Sequence, residues 1–230
     1  MARRETIVAG TAYPASVKDS DWEALARSEP YFCVLDHDGH VETGSNRVAT
    51  AAFFETGEAD VASLLSAIAS LLGREPSLTS SLDFGCGAGR LTLELARRSM
   101  KVVACDVAPT MLEHVRRNAR DAGLDNVTCI GIEELARLPD NQFDFICSLL
   151  VFQYIPRAAG YELIRTLLRL LMPGGIAALH VALGRSREEP NQYDEADVHR
   201  EIEAAGARLI GRFNDSIGAV MIIEGASSRR

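Results

Sequence analysis

The residues Gly85-Cys86-Gly87-Ala88-Gly89 put a glycine at every second position. They lie between a short apolar run, Ser81-Leu82-Asp83-Phe84, and a helical pattern, Leu91-Thr92-Leu93-Glu94-Leu95-Ala96-Arg97. Glycine tolerates positive φ and leaves the backbone bare where a ligand comes close. The first amides of the helix that follows have no partner within it and point toward whatever sits there. A second apolar run, Val102-Val103-Ala104-Cys105, ends in Asp106, about twenty residues after the first glycine, the offset at which an acid meets a ribose diol in dinucleotide-type folds. Together these features predict a site for a nucleoside-bearing cofactor.

Other chemistry-bearing residues give weaker signals. Of the five cysteines, none forms a CxxC pair, which leaves zinc and thioredoxin-like chemistry without support. Cys105, Cys129 and Cys147 sit inside apolar runs, where a thiol behaves as a small hydrophobe, and this usage predicts a reducing, cytoplasmic setting. His180, within Leu179-His180-Val181, is either a general base or a satisfied core residue. His37 and His40 fall in a polar turn, and His114 and His199 on predicted helices.

The net charge of −8 argues against a protein that binds nucleic acid through its phosphates. Arg116, Arg117 and Arg120 cluster at helical spacing, as on a solvated helix face. Arg3 and Arg4 are not followed by a long apolar run, so no signal peptide is expected. No apolar segment approaches the roughly 20 residues that span a membrane, and no membrane partner is expected.

The elements that must position these residues follow from periodicity. Ser20-Asp21-Trp22-Glu23 reads as a capping box that opens a short helix to Arg27. A helical segment around Arg47 to Phe54 is followed by Thr56-Gly57-Glu58. Beyond it runs a long amphipathic helix with apolar Val61, Leu64, Leu65, Ile68, Leu71 and Leu72, ended by Gly73. From residue 80 strands and helices alternate. Strands are predicted near 80–84, 101–105, 126–130, 143–148 and 175–182, and helices near 88–98, 108–122, 159–171 and 194–205. Such alternation implies a parallel sheet covered on both faces. Residues 207–213 and 217–223, joined by Asn214-Asp215-Ser216, close the chain as an antiparallel hairpin.

Taken in order, Leu82-Asp83-Phe84-Gly85-Cys86-Gly87-Ala88-Gly89-Arg90, Asp106, Phe143-Asp144-Phe145-Ile146-Cys147-Ser148 and the closing hairpin resemble a class I S-adenosylmethionine-dependent methyltransferase. The resemblance spans roughly residues 80–224 and implies a Rossmann-like α/β fold. In that fold a seven-stranded sheet, mostly parallel with a C-terminal antiparallel hairpin, lies in three α/β/α layers. The implied cofactor, S-adenosyl-L-methionine, carries no phosphate, and a bare turn with exposed amides suits its methionine carboxylate. The resemblance assigns Gly85, Cys86 and Gly87 to the cofactor turn and Asp106, with Val107 beside it, to the ribose. It gives Asp83 to the ammonium group or to anchoring the loop, and Arg90 to the tail carboxylate or to the helix surface. Met111 packs against the adenine edge or in the core. Glu133 or Glu134, in two registers the sequence does not separate, meets the adenine amino group with Leu135 beside it. Ser148 and Leu149 border the sulfonium, and Gln153 contacts the cofactor, positions the acceptor or caps a turn. An Asn- or Asp-Pro-Pro-aromatic motif after the fourth strand is absent, which counts against base-amine or glutamine methylation. The acid cluster of metal-dependent relatives is absent too, so no metal is expected.

The implied function is methyl transfer, without a metal, to a small-molecule acceptor, with oxygen favoured over nitrogen. Two alternatives share parts of the pattern: a nicotinamide-dependent oxidoreductase, whose GxGxxG spacing is not met, and a non-catalytic relative that acts as a binding subunit. Trp22, Tyr31, Phe32, Phe53 and Phe54 concentrate aromatics before the sheet. They predict an N-terminal helical cap over residues 1–75, ahead of a cofactor-binding domain over 76–230, with Gly184 to Asp194 as the opposite wall. A monomer or a homodimer is expected.

Overall fold

The computed structural model describes residues 19–28, 30–31, 47–184 and 189–226. Phe32, Cys33, His37, His40 and residues 185–188 of the expected wall lie outside the described residues. The chain opens with α1 (Asp19–Ser28) and α2 (Arg47–Leu72). A βα alternation then runs through β1 (Ser80–Phe84), α3 (Thr92–Arg98), β2 (Lys101–Asp106), α4 (Pro109–Asp121), β3 (Val127–Gly131), α5 (Ile132–Leu135) and β4 (Phe143–Ser148). A single 3-10 turn, Phe152–Tyr154, leads to α6 (Arg157–Leu170), β5 (Leu171–Val181) and α7 (Glu195–Ala204), and β6 (Arg208–Asn214) and β7 (Ala219–Glu224) close the fold.

The seven strands lie in the order β3-β2-β1-β4-β5-β7-β6. The first five run parallel, and β7 is antiparallel to both its neighbours. The period of two along each strand sorts the core into two layers. Leu82, Phe84, Ile146 and Leu179 face Ile164 and Leu167 of α6 and Val198 and Ile202 of α7. Val102, Phe145, Cys147 and Ala178 face Leu95 of α3 and Val61, Leu64 and Ile68 of α2. The sheet is therefore covered on both sides, as the near-continuous apolar strands require.

Several boundaries differ from the sequence reading; α3, expected from near residue 88, begins at Thr92 because 87–91 form the turn. α2 is one helix of 26 residues that passes through Gly57 without a break. A Cβ at Gly57 would stand 2.1 Å from the Arg90 carbonyl oxygen, so this glycine marks a close approach of α2 to the turn ahead of α3 and not a chain break. β5 begins at Leu171, four residues early, because Leu171 pairs with Phe143 before an irregularity at Pro173-Gly174-Gly175 shifts the register to Phe145↔Ile176. The second half of α2 belongs to the sheet's own core, so the N-terminal elements and the sheet share one packed interior.

Candidate active site

The glycine turn connects β1 to α3, and Gly85, Gly87 and Gly89 all take positive φ. Its amides are turned inward. Gly85 N and Cys86 N both donate to the Cys105 carbonyl, at 2.8 and 3.0 Å, and Gly89 N donates to Cys86 O at 3.0 Å. Gly87 N donates to Asp106 Oδ2 at 2.9 Å. The expectation of a turn with exposed amides is narrowed here: Gly85, Cys86 and Gly87 fasten the turn to β2, and Gly89 closes it on itself. Val151 lies over it, 2.3 Å from where a Cβ on Gly85 would stand. Cys86 is buried, and burial pushes its thiol well above the ordinary range, so it packs as a hydrophobe.

Asp106 ends β2 with both carboxylate oxygens oriented. Oδ1 accepts from Ala108 N at 2.9 Å, and each oxygen keeps a lone-pair site for a further donor. Burial raises its carboxyl, and backbone donors from Ala108, Gly87 and Val107 offset this only in part. Asp83, 1% exposed at the middle of the sheet, accepts from Thr92 Oγ1 at 2.6 Å. Burial pushes its carboxyl up to about 6, against the pull of Thr92 and Arg90. Arg90 is 3% exposed and does not lie on a helix surface: its Nη1 is 2.6 Å from Asp60 Oδ2 and 3.4 Å from Thr56 Oγ1, both on α2. This clamp was missed in the sequence; its signal is the i, i+4 spacing of Thr56 and Asp60 on one helix face.

The remaining expected residues divide. Val107 is exposed beside Asp106, and Met111 is buried among Ala26, Phe53, Ala88 and Ala108, where cap and α4 meet. Glu134 turns back so that its Oε2 accepts from Gly131 N at 2.9 Å, and Gly131 is the strand partner of Asp106. The Glu133 side chain is 86% exposed and faces Arg137. The structure thus directs Glu134 and not Glu133 toward the strand ends, while Leu135 is spent on the core. Ser148 ends β4 fully buried, and Leu149 packs against α2. Leu150, next in the chain, has φ +61, a left-handed conformation that costs a branched residue about 1–2 kcal/mol. His180, also fully buried, stands 3.2 Å from Asp215 Oδ2 through Nε2 and accepts from Leu150 N at 3.4 Å through Nδ1.

α1 packs on α4 and on Tyr154. Glu23 accepts from Thr110 N and Thr110 Oγ1 at the first turn of α4, at 3.1 and 2.6 Å, and Ala26 O meets His114 Nε2 at 3.1 Å. Trp22 packs edge-on against Tyr154, ring centroids 4.9 Å apart. Tyr31 reaches Asn118 Oδ1, while Asn118 Nδ2 holds the Ala88 carbonyl of the glycine turn at 2.9 Å. Sequence reading placed Trp22 and Tyr31 here and missed Asn118; its capping box from Ser20 to Glu23 is corrected, because α1 already starts at Asp19 and the Glu23 carboxylate is taken by Thr110 and Arg27.

The residues fit a cationic nucleoside cofactor. Asp83 and Asp106 are carboxyls with raised pKa values, and Arg90, whose charge reaches Asp83, is already paired with Asp60. Ser148 Oγ and Gln153 Oε1 are buried polar atoms with no protein partner. Among the described residues, no three His, Cys, Asp or Glu side chains gather as metal ligands.

Sheet order, glycine turn and acid at the end of β2 define a Rossmann-like domain of the methyltransferase class. Residues 82–179 match the family described as methyltransferase domain. This part of the chain is a class I S-adenosyl-L-methionine-dependent methyltransferase domain, with S-adenosyl-L-methionine as its methyl donor. It is 36% identical over 95 residues to the ubiquinone biosynthesis O-methyltransferase of Nitrosococcus oceani, covering 41% of this chain and 39% of that protein. It is 37% identical over 99 residues to the biotin biosynthesis bifunctional protein BioHC of Cellvibrio japonicus, covering 43% of this chain and 19% of that protein. The matches thus span less than half the length of these relatives. Among solved structures, magnesium protoporphyrin IX methyltransferase from Synechocystis with bound S-adenosylmethionine superposes with a TM-score of 0.60 at 20% identity, over 96% of this chain and 100% of that one. The cyclase SpnF superposes with a TM-score of 0.62 at 16% identity, over 93% and 97%. Both likenesses concern the fold.

Proposed function

We propose that the protein transfers the methyl group of S-adenosyl-L-methionine to an oxygen of a small-molecule acceptor, without a metal. The observation that carries the reading is the pair of carboxyls at the glycine turn, buried Asp83 and half-buried Asp106, with Arg90 already spent on Asp60. A pyrophosphate would be repelled there; an ammonium and a sulfonium would be attracted. Asp106 accepts the ribose hydroxyls, Asp83 faces the ammonium group, and Glu134 is the acid on the adenine side. When bound, the cofactor supplies an already activated methyl carbon, so the chain's task is to align the acceptor and exclude water. α1 and the Trp22–Tyr154 pair form the cover that does this. Oxygen as the accepting atom agrees with the O-methyltransferases among the relatives.

Titration calorimetry with S-adenosylhomocysteine and with oxidised nicotinamide dinucleotide tests the cofactor. Binding of the first alone is expected, and binding of the second alone overturns the reading. In Asp106→Asn the affinity should fall about 100-fold, from the loss of charge-assisted hydrogen bonds worth about 3 kcal/mol together. One fold hosts several chemistries, so a screen of hydroxylated acceptors with labelled donor completes the test; label in an amine alone would reassign the accepting atom.

A further inference from the structure

The ends of β4 and β5 and the β6–β7 turn converge on His180. Its Nδ1 accepts from the Leu150 amide, which requires the proton of the neutral ring to sit on Nε2, facing Asp215 Oδ2. Nε2 approaches Asp215 Oδ2 to 3.2 Å without hydrogen-bond geometry, so Asp215 steadies the ring by charge and proximity. Asp215 is itself anchored: its Oδ1 accepts from Ile217 N at 2.8 Å and Gly218 N at 2.9 Å, which close the hairpin turn. Burial would raise the Asp215 carboxyl, but His180 and the amides of Gly218 and Ile217 together hold it below its usual range, so the brace is ionised.

What the ring holds is Leu150, the one non-glycine among the described residues after β4 with a left-handed backbone. That conformation turns the chain so that Val151 falls on Gly85 and Phe152 is buried. Ser148 and Gln153, with their unpartnered buried oxygens, flank this turn.

We propose that His180, braced by Asp215, is a positioning residue: it holds Leu150 in its left-handed conformation and thereby sets how the Ser148–Gln153 segment meets the glycine turn. The proposal rests on the reading of this end of the sheet as the cofactor site. It links the C-terminal hairpin to the cofactor turn through one imidazole.

The test compares His180→Gln, His180→Leu and the double variant His180→Leu/Leu150→Gly, using S-adenosylhomocysteine affinity and amide hydrogen exchange of residues 148–153. Gln retains an acceptor and a donor but takes no proton, Leu retains neither, and Gly adopts φ > 0 without help. His180→Leu should bind at least 10-fold more weakly and exchange faster over 148–153. His180→Gln should stay within about 3-fold of the parent protein, and Leu150→Gly should recover most of what His180→Leu loses. Gln behaving like Leu, or no recovery in the double variant, overturns the proposal; so does an unchanged His180→Leu. If the parent protein binds no S-adenosylhomocysteine while the exchange pattern is as stated, the reading of the cofactor site falls and the positioning role of His180 stands.

Discussion

Asp83 accepts from Thr92 and has almost no contact with water, and burial pushes its carboxyl up to about 6 from the ordinary 3.8. Because the folded pKa lies above the unfolded one, the folded state holds the extra proton between these values. Stability is then greatest at low pH and declines as pH rises through 4 to 6, by up to about 3 kcal/mol in the ligand-free protein. Asp83→Asn should flatten that slope: thermal unfolding at pH 5 and pH 7.5 should show the variant more stable than the parent at the higher pH, and a parallel slope in the two proteins would show that Asp83 does not titrate there. The same substitution should weaken S-adenosylhomocysteine binding, and the parent's binding near pH 5.5 should release a proton, visible as an enthalpy that changes with buffer. Here stability is given up for a site that meets a cation. The glycine spacing and Asp106 were legible in the sequence because they are set by local backbone needs. The choice between Glu133 and Glu134 was not, because it depends on the Glu134 carboxylate bonding back to Gly131 N, one helical turn that no periodicity records. Nor was the pairing of His180 with Asp215, which lie on different elements and meet only through strand order.

At the scale of elements, α2 and the glycine turn are held together by Arg90 and Asp60 and by the close approach at Gly57. Asp60→Ala would leave a buried guanidinium without its counter-charge, at about 3 kcal/mol. Gly57→Ala would drive a methyl group into the Arg90 carbonyl, at about 1–3 kcal/mol, and force α2 away from the turn. Chemical denaturation of both variants measures these losses; a Gly57→Ala protein of unchanged midpoint would mean that α2 and the turn can part without cost. The strands were readable because each is a nearly continuous apolar run, and the hairpin because of Asn214-Asp215-Ser216. The unbroken α2 was not readable: a glycine inside a helix carries a propensity cost of about 1 kcal/mol, and only the Arg90 carbonyl of the turn packed against it explains why it is there. The early start of β5 was hidden by Pro173, Gly174 and Gly175, which read as a loop although Leu171 pairs across to Phe143.

For the whole molecule, the cap and the sheet share one interior, and no helix among the described residues is long and apolar enough to cross a membrane. A ligand that bridges Asp83 on β1, Asp106 on β2 and the segment after β4 should therefore stabilise the molecule as a unit. At 100 times its dissociation constant S-adenosylhomocysteine should add about 2.7 kcal/mol, roughly 5–10 °C in midpoint for a domain of this size. A scan with oxidised nicotinamide dinucleotide should show no shift, and the reverse result would assign the site to the other cofactor. The geometry of α2 has a mechanical consequence. Its 26 residues form a rod about 39 Å long, built into the core from Val61 onward and riveted at Arg90. Such a beam cannot swing as a flap. The ten residues of α1 are held instead by side-chain and carbonyl contacts at Trp22, Glu23 and Ala26, to Tyr154, Thr110 and His114, contacts that can part while α2 stays still.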